Sequence, residues 1–407
     1  MPEQVELRRS LSLPLLTLYG LGTIIGAGIY VLVGEVAGVA GNYMPLAFLV
    51  AALLVTFTAF AYAELSARYP RSAGAALYVH AAFAHRHVSL LMAFLIISIG
   101  VVSSATLARG VVGYLQLFID VPDWLVISSI VLVLGGIAAW GIRESVGAAS
   151  VLTLLEIAGL MLILWVTREH FVELPVRLDS LLPAFNLSTW QAVLLGSFVA
   201  FYAFIGFEDM VNIAEEVRRP RKNLPRAIFI SIVVTTLIYL AVAIAASLTV
   251  PVAELAVSKA PLAAVYTRVT GEEAFFIGLV GVVAVVNGVL VQIIMASRML
   301  YGSARQGWLP AALGRVNTHT RTPLLATVVV TSVIWVMAMW LPLLTLAQMT
   351  SFITLFIFTI INLALVVIKR REPVVAGVRV YPMVIPIGGI VFTLALLLFQ
   401  LYHWSVL

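Results

Sequence analysis

Of 407 residues, 62% are hydrophobic and 11% are charged, and the mean hydropathy is +1.09, whereas about a quarter of the residues of a soluble domain are charged. That excludes a soluble globular fold and defines an all-α polytopic membrane protein, multi-pass in the cell membrane. With no cysteine, disulfides, thiolate metal sites and cysteine nucleophiles are excluded as well, and the net charge of +5 sits in short loops, where it reports topology rather than nucleic-acid binding.

Residues 1–10 hold Glu3, Glu6, Arg8 and Arg9 without a cleavable signal pattern, and read as a short cytoplasmic tail. Apolar stretches of about twenty residues then predict eleven spans, at roughly 14–40, 45–67, 88–118, 124–141, 146–167, 190–212, 227–250, 274–301, 323–341, 344–368 and 383–403. With the N-terminus inside, 19 Lys and Arg fall in cytoplasmic segments and 4 outside, with Arg109 left in a span. The positive-inside rule therefore sets the N-terminus inside, and an odd number of spans sets Leu407 outside. Between spans two and three, Arg68 to His87 suits a helix lying on the cytoplasmic surface, with Ala75, Ala76, Tyr78 and Val79 as its apolar side. Arg218 to Arg226 is a cationic turn broken by Pro220 and Pro225, read as a topology anchor facing anionic lipid.

Span one contains Gly20-Leu-Gly-Thr-Ile-Ile-Gly-Ala-Gly-Ile-Tyr-Val-Leu-Val-Gly34, in which five of fifteen residues are glycine, the costliest ordinary residue in a helix interior. Small-residue helix packing explains such glycines when they stand alone. Five spans later, however, Phe201-Tyr-Ala-Phe-Ile-Gly-Phe-Glu-Asp-Met210 places Gly206 and two acids at a matching depth. Paired interruptions at corresponding places in two halves point to a transporter of inverted repeats with its site at the midplane. A break at Gly26 frees N–H groups that suit a carboxylate and C=O groups that suit an ammonium or a cation.

Four blocks carry a resemblance: Gly-Thr-Ile-Ile-Gly-Ala-Gly-Ile-Tyr (22–30), Ala-Glu-Leu-Ser-Ala-Arg-Tyr-Pro-Arg-Ser-Ala-Gly (63–74), Phe-Ile-Gly-Phe-Glu (204–208) followed by Glu-Glu-Val-Arg-Arg-Pro (215–220), and Ser-Arg-Met-Leu-Tyr-Gly-Ser-Ala-Arg-Gln-Gly-Trp-Leu-Pro (297–310). In this order they resemble the amino acid–polyamine–organocation (APC) superfamily of amino-acid permeases. The resemblance implies a single LeuT-type domain over 1–407, with inverted repeats at 12–168 and 188–369, broken helices one and six, and a peripheral eleventh helix at 382–404. It also implies that Gly26, Ala27 and Gly28 take the substrate carboxylate, although many relatives have a hydroxyl residue at the position of Ala27. The carbonyls of Ile24, Tyr202 and Ile205 would take the ammonium, Phe204 and Phe207 would shape and gate the side-chain pocket, and Gln292 would line it.

Ionisable residues at membrane depth are functional candidates because burying them is expensive. Glu208 follows the second break and either caps freed N–H groups, pairs with Asn212 or takes part in coupling. Glu156 occupies a span-five position where some proton-driven relatives hold a lysine. A carboxyl buried there can exchange a proton as its access alternates, serve as a structural hydrogen-bonding group to a neighbouring helix through a residue such as Arg109, or ligate a cation directly. Glu64 and Arg298 read as interfacial anchors or an inner-gate pair. The histidines at 80, 85, 87, 170, 319 and 403 lack metal spacing, and no phosphate-binding loop occurs.

The sequence thus predicts a secondary amino-acid transporter, not an enzyme, without cofactor or metal. Proton-coupled uptake is the leading form, with sodium coupling and amino-acid exchange open, and a non-transporting receptor or a membrane enzyme is the alternative class. Pocket candidates without a clear acid favour a neutral or apolar amino acid, and the oligomeric state stays open.

Overall fold

The computed structural model describes residues 9–71, 74–140, 146–183, 186–305, 307 and 309–406, without the side chains of Ala27 and residues 146–148. Arg8 and Arg143 of the charge count, and Ser72, Ala73, Gln306 and Trp308 of the sequence blocks, lie outside the described residues. Fifteen α-helices follow in order: α1 Leu13–Ala40, α2 Met44–Arg68, α3 Gly74–Phe83, α4 Arg86–Leu115, α5 Asp123–Trp140, α6 Val146–Val166, α7 Leu174–Leu181, α8 Leu187–Ala200, α9 Pro220–Thr249, α10 Val252–Val257, α11 Pro261–Thr270, α12 Phe275–Arg305, α13 Leu324–Trp340, α14 Leu343–Arg371 and α15 Val384–Val406. Among the described residues the only extended pairing is a bridge between Leu11 and Val217.

Among the described residues nine stretches are long and apolar enough to cross a membrane. One of them, Leu13–Arg68, contains both α1 and α2, which are separated by a 3₁₀ turn at Gly41–Tyr43. α13, apolar but only 17 residues long, is shorter than these. Prolines sit in the first turns of α1, α2, α9 and α11, where a missing N–H costs nothing because it has no helical partner.

The packing partners follow a rule. α1 lies against the segment Phe201–Glu216, α2 against α9, α4 against α12, and α5 against α13. Each of the first four long helices therefore touches the one five places later in the order of predicted spans. α15 packs on α14, α2 and α8.

A helix, α3, follows α2 where a surface helix was expected; it packs on α14 and α4 and buries Gly74, Tyr78, Val79 and Ala82, while Ala75 and Ala76 are half-buried. Glu64 differs from its expected role as an interfacial anchor or a partner of Arg298. It is fully buried, with Oε1 accepting from Arg68 Nε at 3.0 Å and Nη2 at 2.8 Å, and Oε2 accepting from Lys369 Nζ at 3.1 Å and the Tyr381 amide at 3.0 Å. The network joins α2, α14 and the chain that follows α14. A buried carboxylate persists only where cations and donors surround it, and here Arg68 comes from the next turn of the same helix while Lys369 and the Tyr381 amide come from residues some 300 positions away in the sequence.

Candidate functional site at two interrupted helices

In the middle of α1, Gly26 has φ 10° and ψ −144°, far from helical values. The interruption removes helical partners from carbonyls before it and amides after it. A Cβ on Gly26 would meet nothing within 4 Å, so this backbone borders open space.

The facing segment is interrupted too. α8 ends at Ala200, a 3₁₀ turn spans Phe201–Phe204, Ile205 is extended, and a second 3₁₀ helix runs Phe207–Glu216. Between them Gly206 has φ 127°, a conformation open to glycine and costly for other residues. A Cβ there would also collide with the Thr23 carbonyl oxygen of α1. At Gly28 a Cβ would stand 2.9 Å from Ala203 Cα. Absent side chains thus let the two interruptions touch, while Gly26 stays clear.

Between them lies a cavity of about 90 Å³. Of the residues singled out in the sequence, Ile24, Gly26, Gly28, Tyr202, Ile205 and Gln292 line it. Tyr202 is held by its hydroxyl, 2.9 Å from Ser103 Oγ on α4. Gln292 Oε1 is buried without a hydrogen-bond partner, and Asn287 lines the same wall one helical face away. On α1 the lining runs from Tyr19 to Gly28, and on α6 it consists of Ala149 and Thr153. The cavity therefore extends from the interruptions toward the face that carries the basic loops.

Other expected residues lie elsewhere. Phe204 and Phe207 are buried outside the lining, Phe204 against Tyr239 with ring centroids 5.2 Å apart, and Phe207 against Tyr62 at 5.5 Å and Phe358 at 5.4 Å. Glu208 does not pair with Asn212: its Oε2 accepts from the Gly206 amide at 2.9 Å, capping the interruption. Its neighbour Asp209 lines the cavity and lies 3.4 Å from Asn212 Nδ2. Glu156 is 1% exposed, behind Thr153, and its Oε2 has no hydrogen-bond partner. Its backbone carbonyl accepts from Tyr30 Oη at 2.7 Å. Arg109, suggested as a partner for Glu156, instead donates to the Ala338 carbonyl on α13 at 2.8 Å.

Tyr239 of α9 was not anticipated. Its hydroxyl lies 2.9 Å from the Ile24 carbonyl, 3.3 Å from that of Ile25 and 3.1 Å from that of Ala203. One buried hydroxyl thus touches both interruptions. A tyrosine inside an apolar span is a sequence signal, because its hydroxyl must find an acceptor there.

The amino acid permease family model matches residues 11–403. The chain belongs to the amino acid permease family. This permease is 28% identical to the mitochondrial cationic amino acid transporter 3 of Arabidopsis thaliana, over 90% of the chain and 63% of that protein. It is 27% identical to the branched-chain amino acid permease BcaP of Bacillus subtilis (strain 168), over 98% of the chain and 89% of that protein. A methylthioribose transporter from the same bacterium is 29% identical, over 90% of the chain and 83% of its own length. The permease therefore spans less than two thirds of the plant relative and most of the bacterial ones. By name these relatives carry solutes, which points away from an enzyme.

Proposed function

We propose that this permease is a secondary active amino-acid transporter working by alternating access, with proton-coupled uptake as its leading form. It would have a LeuT-type 5+5 fold of eleven crossings, repeats at 12–168 and 188–369, a peripheral helix at 382–404 and the N-terminus inside. The pairing of each of the first four long helices with the one five places later supports the repeat. The observation that carries the reading is the cavity between two interrupted helices, bordered by the open backbone of Gly26.

In this reading the substrate carboxylate docks on the amides of Gly26, Ala27 and Gly28, at the start of the second half of α1, where the helix dipole and free N–H groups favour an anion. The ammonium is taken by the carbonyls of Ile24, Tyr202 and Ile205. Tyr239 already engages the Ile24 carbonyl, but a carbonyl has a second lone pair. Gln292 Oε1, free in the cavity wall, reads the side chain. Phe204 and Phe207 act from behind the wall by holding the interruption in place. The lining faces the basic-loop side, so this conformation is the inward-facing one.

Coupling falls to Glu156 and Glu208. Glu156 sits one turn behind the cavity wall with an unpartnered oxygen, suited to carrying a proton when access changes. Glu208 couples through its hold on the Gly206 amide.

The leading substrate is a neutral amino acid. A cationic one is the second reading, favoured by Asp209 in the lining. Competition against labelled leucine by the twenty amino acids separates the two: inhibition by aliphatic residues supports the first, and inhibition by arginine and lysine that disappears in Asp209→Asn supports the second. Inhibition by no amino acid would refute the assignment of substrate class.

A further inference from the structure

A second cavity, of about 460 Å³, opens on the face of the basic loops between α2, α9 and the chain after α14. Its size falls in the ~300–1,000 Å³ range of small-molecule sites. Four cations line it, Arg221, Lys222, Arg226 and Arg379, and among the described residues no acid does. Among the described residues none of the four is in an ion pair. Glu64, next to the lining residue Ala63 on α2, is already held by Arg68, Lys369 and the Tyr381 amide.

The charges are placed against the grain of the helix. Arg221 and Lys222 stand in the first turn of α9, which has no acidic residue and no side-chain cap. Cations are unfavourable at that positive end, and Lys222 with Arg226 is a like-charge pair at i,i+4, which is also unfavourable. A topological bias needs positive charge on this face, but it does not need the charge gathered around a concavity.

The inner wall is apolar. Phe60, Phe229 and Tyr381 pack together with centroids 4.6, 4.9 and 5.9 Å apart, and the Arg379 guanidinium lies 5.6 Å from the Tyr381 ring. Phe60 precedes the end of α2 by eight residues, a depth of about 12 Å at 1.5 Å per residue. A cationic rim above an aromatic wall of that depth matches a phosphate with an apolar body below it.

We propose that this cavity binds the phosphate-bearing headgroup of an anionic lipid, independently of the substrate site. The phosphate is held by Arg226 and Arg379 at the rim, with Arg221 and Lys222 completing the charge, and the glycerol region rests on the three rings. The occupant bridges α2, α9 and the segment that also closes over Glu64.

The test uses the full chain in detergent, titrated with short-chain phosphatidylglycerol, short-chain phosphatidylcholine or inorganic phosphate, with thermal unfolding and native mass spectrometry as readouts. Phosphatidylglycerol should bind and raise the unfolding temperature, with phosphatidylcholine inert. Arg226→Gln/Arg379→Gln should weaken binding about 30-fold, from roughly 1 kcal/mol per cation, while Arg370→Gln/Arg371→Gln, on the same face outside the cavity, should not. Both variants keep the strong charge bias that orients the chain, and their unfolding without probe checks folding. Equal binding of phosphatidylcholine, or equal weakening in both variants, would overturn the site. Inorganic phosphate binding as tightly as phosphatidylglycerol would overturn the lipid as its source.

Discussion

Replacing Tyr239 with phenylalanine removes one oxygen atom and leaves the ring in place between Phe48 and Phe204. Among the described residues that oxygen is the one side-chain group touching carbonyls of both interruptions, at 2.9 Å on Ile24 and 3.1 Å on Ala203. A hydroxyl has one proton, so it donates to one of these carbonyls at a time. The lost hydrogen bond contributes about 0.5–1.5 kcal/mol, and a buried acceptor left without a partner costs about 1–3 kcal/mol. Since Ile24 also lines the cavity, the cost appears in the geometry that receives substrate. Amino-acid affinity should fall about 5- to 150-fold, corresponding to about 1–3 kcal/mol. Isothermal titration or scintillation proximity binding on purified protein measures it, with the unfolding midpoint as a companion. Unchanged affinity together with an unchanged midpoint would refute the idea that this hydroxyl registers one interruption against the other.

Three further outcomes follow from the same geometry. Glu156→Gln should abolish uptake driven by a pH gradient and flatten its pH dependence, and full uptake with the wild-type profile in proteoliposomes would remove Glu156 from coupling. Gly206→Ala places a Cβ against the Thr23 carbonyl at φ 127° and should destabilise the fold by roughly 1–3 kcal/mol or more, seen as a lower unfolding midpoint and weaker substrate binding. Glu64→Ala leaves Arg68 and Lys369 buried without their anion and should cost about 3–5 kcal/mol, and a wild-type midpoint would contradict this.

What could be read from the sequence followed from backbone chemistry. Glycine is expensive in a helix and a bilayer does not tolerate unpaired amides, so Gly26 and Gly206 marked the interruptions before any contact was known. Gln292 was legible through the family resemblance, which implied that it lines the pocket. Asp209 was not separable from Glu208, because Phe207–Glu216 winds as a 3₁₀ helix with three residues per turn rather than 3.6, which changes the side each acid faces. Arg68 stands at i+4 from Glu64, a local pairing, but Lys369 and the partners of Tyr239 come from distant segments, and no local pattern encodes those pairings. The short helices α7, α10 and α11, of eight, six and ten residues, lie in the connections at 167–190 and 250–274, which the reading by apolar spans did not resolve further.

The central claim is that amino acids cross the membrane through the cavity at the two interruptions. Flux of a labelled amino acid into proteoliposomes tests it most directly, with the wild type beside Tyr239→Phe under imposed pH and sodium gradients. The account predicts saturable, gradient-driven accumulation that is reduced in the variant. Saturable binding with no flux under any gradient would contradict it.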